Sequence, residues 1–163
     1  MFGSINGLPV HALVIHAAVI FTPLAALLGF GLWFPTWRMR LRWPLVGAAA
    51  VATVTIFVAK ESGQKLKTAL GDQLTGADNP TAKLVKHHQD LGNRLFIAVL
   101  IYLVVVLAVA LILPKLNNHL ATQFLALVVV VLAIGVIILT IKTGDAGAKA
   151  RWNPDGSFDY SGS

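Results

Sequence analysis

Apolar residues run along this chain in four long blocks, and polar residues collect between them. Residues 8–34 are almost continuously apolar, and the first 37 residues hold no Lys, Arg, Asp or Glu. Residues 43–59, 95–113 and 120–141 are uncharged as well. Crossing ~30 Å of hydrocarbon takes about 20 residues, with ~17 as the lower limit, so all four blocks qualify, the second only just. The pattern predicts an all-α polytopic membrane protein with four transmembrane helices in an antiparallel bundle, spanning at about 9–34, 43–59, 92–113 and 120–141. The first block has no basic stretch ahead of it and is too long for a signal peptide, so it reads as a genuine first span.

Polar positions set the rest of the layout. Arg38, Arg40 and Arg42 follow the first span directly, with Trp33, Trp37 and Trp43 around them. A basic excess beside the first span and an aromatic belt at the interface put this connection in the cytoplasm. The termini are then extracytoplasmic, and the link 114–119, with Lys115 alone, joins the arginines. Residues 60–91 form a helical extracytoplasmic loop. Within it 61–70 reads as a short helix ended by Gly71, and 76–79 as a turn. Asn79 followed by Pro80 reads as a helix start, so the third helix begins outside the membrane and runs about 34 residues, ~50 Å. The first 143 residues make one transmembrane domain, and 144–163 a polar tail with a turn at 153–156.

Composition narrows the chemistry. Only 12% of the 163 residues are charged and 56% are apolar, against roughly a quarter charged in soluble domains. There is no cysteine, which excludes disulfides, thiolate metal sites, covalently attached haem and iron–sulfur ligation by this chain. The net charge of +6 sits at the borders of apolar blocks and forms no basic groove, so nucleic acid is not an expected partner. No nucleophile–base motif, phosphate-binding glycine loop or pair of intramembrane carboxylates is present, and no catalytic residue is assigned. Pro23 is the one proline deep in a span.

Four of the five histidines fall toward one end of the predicted bundle. His16 lies ~10 Å along the first helix, where an ionisable group marks a functional site by default. His11 is five residues earlier, about 140° away around the helix. It shares a stripe with Ile15, Ala18, Thr22, Ala25 and Gly29, mostly small residues of the kind that close helix packing favours. His88 shares a stripe with Leu84, Leu91 and Leu95 and faces the bundle, whereas His87 falls on a polar face with Lys83, Asp90 and Arg94. Histidines on facing helices suit the two axial positions of a haem b. His11, His16 and His88 with Asp145 suit a divalent metal where they converge. The alternative is neutral imidazoles bonded to neighbouring backbone.

Several segments carry a resemblance. Residues 8–16 (Leu8-Pro9-Val10-His11 through His16), 62–66 (Ser62-Gly63-Gln64), 88–92 (His88-Gln89-Asp90) and 143–152 (Thr143-Gly144-Asp145 through Trp152) together resemble the bacterial DUF2231 family of four-helix membrane proteins, most closely its actinobacterial members. The resemblance covers almost the whole chain and implies the fold and a place in the bacterial plasma membrane. It carries the family's histidine positions onto His11, His16 and His88. Some relatives look fused to Rieske or cytochrome c modules, which implies a redox setting, and some have His where this chain has Asp145. Three readings follow: a non-enzymatic redox-type membrane subunit holding haem b, an accessory subunit of a larger respiratory complex without its own cofactor, and a metal-binding or small-solute transport protein. Under each, the small-residue stripes favour other membrane subunits or self-association as partners.

Overall fold

The computed structural model describes residues 4–5, 7–74 and 79–157. A two-residue ladder, β1 (Ser4–Ile5) against β2 (Leu8–Pro9), precedes four helices: α1 (Val10–Gly31), α2 (Pro35–Ala69), α3 (Pro80–Ile112) and α4 (His119–Trp152). Each helix is long and apolar enough to cross a membrane. The protein is an integral membrane protein of all-α class. Its outward side chains agree with lipid as the solvent: Ile97, Val104 and Leu111 on α3 and Phe124, Val131 and Ile138 on α4 are all exposed. Such a surface is stable only where the surroundings are as apolar as the side chains themselves.

The helices close into a ring, α1 on α2, α2 on α3, α3 on α4, and α4 back on α1. Successive helices run in opposite directions, as three contacts show. The start of α1 meets the far part of α2 (His11 to Ala59), late α2 meets early α3 (Lys67 to Gln89), and early α3 meets late α4 (His88 to Thr143). Small residues bring the backbones close. Ala18, Thr22, Ala25 and Gly29 of the α1 stripe are buried, and they face a core that includes Ala49, Ala52, Val99, Val129 and Ala133. Tyr102 is the largest side chain enclosed by this core. Its hydroxyl donates to the Ala25 carbonyl at 3.0 Å and lies over Gly29, where a Cβ would collide with it. Burying Tyr102 in lipid-depth packing requires that partner, because an unmet hydroxyl there costs several kcal/mol by order of magnitude.

Helix ends differ from the sequence expectation at three places. The arginine-bearing stretch after α1 is helical, since Pro35 takes the first helical position of α2 and only residues 32–34 form the turn. Residues 61–69 continue α2 without interruption, and the chain leaves the helix near Gly71 through a 3-10 turn, Gly71–Leu74. Residues 144–152, expected as tail, extend α4. Alanines at 146, 148 and 150 are strong helix formers, and Lys149 pairs with Asp145 one turn away at 2.8 Å. Asn79 caps α3 by accepting from the Ala82 N–H, with Pro80 next, as the sequence predicts. The expected turn at 153–156 is present, closed by the Gly156 N–H on the Asn153 carbonyl. The expected turn at 76–79 lies outside the described residues but for Asn79.

Candidate functional site

Two of the candidate histidines meet where the α1–α2 hairpin faces the α3–α4 hairpin. His11, near the start of α1, bonds through Nδ1 to the Ala59 carbonyl of α2 at 2.8 Å. His88, in the early part of α3, bonds through Nδ1 to the Thr143 carbonyl of α4 at 2.9 Å. A carbonyl oxygen only accepts, so each Nδ1 carries the hydrogen, and in the neutral imidazole each Nε2 keeps its lone pair. The two rings stand edge to face, with centroids 6.2 Å apart and planes at 83°. Both are half-buried.

One local device makes both bonds possible. Four residues beyond each accepting carbonyl stands a glycine, Gly63 on α2 and Gly147 on α4. Within a helix the N–H at that position bonds the same carbonyl, so its side chain would cover the approach. A Cβ at Gly63 would sit 3.1 Å from Cε1 and Nδ1 of His11, and one at Gly147 would sit 2.9 Å from Cε1 of His88. The missing methyl groups let each imidazole slide over the helix and share its carbonyl. The hairpins therefore hold their histidines by the same arrangement: ring on the first helix, carbonyl on the second, glycine one turn later.

The remaining candidates stay apart. His16 lies on the exposed side of α1, with Nδ1 on the Ala12 carbonyl of its own helix at 2.8 Å. The separation of about 140° between His11 and His16 thus turns one inward and the other outward. Asp145 is exposed and committed to Lys149, His87 is exposed, and His119 stands at the opposite end of the bundle. Among the described residues no group of three or more His, Asp or Glu side chains could hold a metal ion.

At that opposite end, sequence reasoning missed a role. Arg38 reads there as a topology signal, yet it is buried. Its guanidinium donates to the carbonyls of Leu32 (2.7 Å) and Trp33 (3.2 Å) in the α1–α2 turn, to Thr122 Oγ1 (3.1 Å) on α4, and to Gln123 Oε1. Two of those acceptors are carbonyls left open where α1 ends. The only sequence signal was position, an arginine four residues past the predicted span.

A family model described as a predicted membrane protein, DUF2231, matches residues 7–156. The chain is a DUF2231 protein. No curated protein and no solved structure matches it. Membership agrees with the resemblance carried by the motifs around His11, Gly63, His88 and Gly147. Those are the residues that meet at the histidine end of this DUF2231 fold.

The donors and the space around them answer differently to haem. Two imidazole nitrogens from facing hairpins match a pair of axial ligands. A porphyrin also needs a flat slot clear of protein on every side of the iron. Gly63 and Gly147 instead bring helix backbone directly against the Nδ1–Cε1 edge of each ring, which leaves a macrocycle no room on that side. A single ion needs no slot. Metal–imidazole bonds are ~2.0 Å, and with about 1 Å from nitrogen to ring centre on either side, two rings that both turn Nε2 toward one ion stand about 6 Å apart, so the edge-to-face pair has the right spacing and must rotate to share an ion.

Proposed function

We propose that this DUF2231 protein is a non-enzymatic, redox-type membrane subunit that holds a metal ion between His11 and His88. One observation carries the reading: both Nδ1 atoms are engaged by backbone carbonyls of different helices, which leaves two Nε2 ligand atoms on rings 6.2 Å apart. Metal-binding histidines are oriented and made more basic by such outer bonds. Imidazole suits zinc, copper, iron and nickel. Two protein nitrogens with no carboxylate among them favour a low-coordinate monovalent ion, and copper in its reduced state is content with two nitrogen ligands. Copper cycling between oxidation states also agrees with the redox setting that the family resemblance implies.

The test is metal analysis and Cu(I) titration of the full chain in detergent, against a chromophoric chelator, with an optical spectrum before and after dithionite. One equivalent of Cu(I), lost in both His11→Ala and His88→Ala and kept in His16→Ala, is the expected result. A Soret band with sharp reduced bands would replace the ion with haem b. No metal and no chromophore would overturn the proposal. The second reading then stands, an accessory subunit whose histidines only brace the bundle. It is favoured by the same two bonds, which tie α1 to α2 and α3 to α4.

A further inference from the structure

The end of the bundle opposite the histidines carries positive charge that the chain does not balance. All seven carboxylates fall at 61, 72, 78, 90, 145, 155 and 159, whereas residues 32–45 and 113–123 hold Arg38, Arg40, Arg42 and Lys115 with no acid. The three arginines are used differently. Arg38 commits four of its five N–H donors to acceptors within the chain. Arg42 lies over the Trp43 ring, 5.8 Å from its centre. Arg40 is exposed and borders a groove of about 480 Å3 where the end of α1 diverges from the first turns of α2.

That groove is apolar except at one point. Leu24 and Leu28 of α1, Phe34 of the turn, and Trp37 and Leu41 of α2 line it, and Arg40 is its charged border. Gly31 shapes it, because a Cβ there would run into Leu41. Its tryptophan neighbours, Trp33, Trp37 and Trp43, are exposed and mark the level of the lipid headgroups. An apolar channel along a membrane helix, ending at an unbalanced guanidinium at headgroup depth, matches one kind of molecule.

We infer that this groove binds an anionic phospholipid, with an acyl chain along Leu24 and Leu28 and the phosphate on the Arg40 guanidinium. Arginine's planar fork suits phosphate oxygens, and basic residues beside a span draw anionic headgroups. A zwitterionic lipid brings its own cation to a surface already rich in positive charge, so net anionic headgroups are selected.

The experiment uses the full chain reconstituted in nanodiscs with equal phosphatidylglycerol and phosphatidylcholine, re-extracted in mild detergent, with bound lipid counted by native mass spectrometry. The expected result is retained phosphatidylglycerol at about fivefold preference over phosphatidylcholine, the scale of one basic side chain at an anionic surface. Arg40→Gln should bring the ratio near one while circular dichroism is unchanged, since Arg40 is exposed. Leu24→Trp, which fills the groove, should lower retention of both lipids. No preference in the parent, or a preference that survives Arg40→Gln, overturns the inference. So does phosphatidylglycerol retention that survives Leu24→Trp. Should Leu24→Trp fail to fold, the ratios of the parent and Arg40→Gln decide alone.

Discussion

Adding one methyl group at Gly147 tests the histidine brace directly. The new Cβ would stand 2.9 Å from Cε1 and 3.1 Å from Nδ1 of His88, closer than the ring tolerates without moving. The ring has to shift, and the expected outcome is that it swings off α4 and gives up its 2.9 Å bond to the Thr143 carbonyl. Leaving a half-buried donor unmet costs about 1–3 kcal/mol. Replacing glycine by alanine inside a helix returns up to about 1 kcal/mol, so the net change is a loss of about 1 kcal/mol. Gly144 supplies the control on the same helix, three residues earlier. A Cβ there meets nothing within 4 Å, and Gly144→Ala should keep the full gain. The two variants should therefore differ by about 2 kcal/mol in equilibrium unfolding by denaturing detergent, followed by helicity. Combining Gly147→Ala with His88→Ala removes the collision and should recover the gain, giving a coupling of about 2 kcal/mol between neighbouring sites. Equal stability of the Gly147→Ala and Gly144→Ala proteins would refute the reasoning. A Gly147→Ala cost unchanged in the absence of the His88 ring would do the same.

Two further outcomes follow from the polar contacts. Arg38→Ala should cost at least about 2–3 kcal/mol in the same unfolding assay, because hydrogen bonds from a charged donor are worth about 1.5–3 kcal/mol each and two turn carbonyls are left open. Arg38→Lys should recover only part of that loss, since an ammonium cannot span acceptors on the turn and on α4 as a guanidinium does; full recovery would contradict the assigned role. His16→Ala should change stability by less than about 0.5 kcal/mol, the scale of surface substitutions, because His16 is exposed and bonded only within its own helix. A loss comparable to that of His88→Ala would mean that His16 has a partner outside the chain.

Much of this architecture is legible in the sequence because lipid imposes a strict rule. Each spanning segment must satisfy its backbone internally, so a long uncharged block is read as a helix with little ambiguity. The stripes through His11 and His88 lead onto buried positions, Ala18, Thr22, Ala25 and Gly29 on one and Leu91 and Leu95 on the other, although Ile15 of the first stripe is exposed. Helix ends are harder to read. The run from Pro35 to Arg42 has no apolar period, and Arg38 ties it to the preceding turn and to α4 through contacts that local sequence does not contain. Residues 144–152 look like tail because Gly144 and Gly147 weaken intrinsic helicity. Gly147 is there for a ring 59 positions away in the chain, and Gly63 likewise serves His11. A glycine kept for close approach and a glycine that ends a helix have the same letter. Only the partner distinguishes them.

The two ends of the bundle also bear on whether the histidines are braces or ligands. Helices in lipid gain little from hydrophobic burial against one another, because lipid tails are as apolar as the side chains they would replace. Packing of Ala18, Ala25, Ala49, Ala133 and their neighbours sets close approach along the middle, and polar contacts fasten the ends. Arg38 joins the α1–α2 turn to α4 at one end. At the other, His11 and His88 each fasten a hairpin through Nδ1 and meet each other across the interface. The bond that fastens each hairpin is the same bond that fixes the tautomer and leaves Nε2 free. Bracing therefore does not preclude the proposed ligation, since one nitrogen serves the helix beside it and the other keeps its lone pair. A metal joining the two Nε2 atoms would add the one linkage that the Nδ1 bonds do not supply, hairpin to hairpin, so its uptake should be coupled to how firmly the two halves of the bundle hold together.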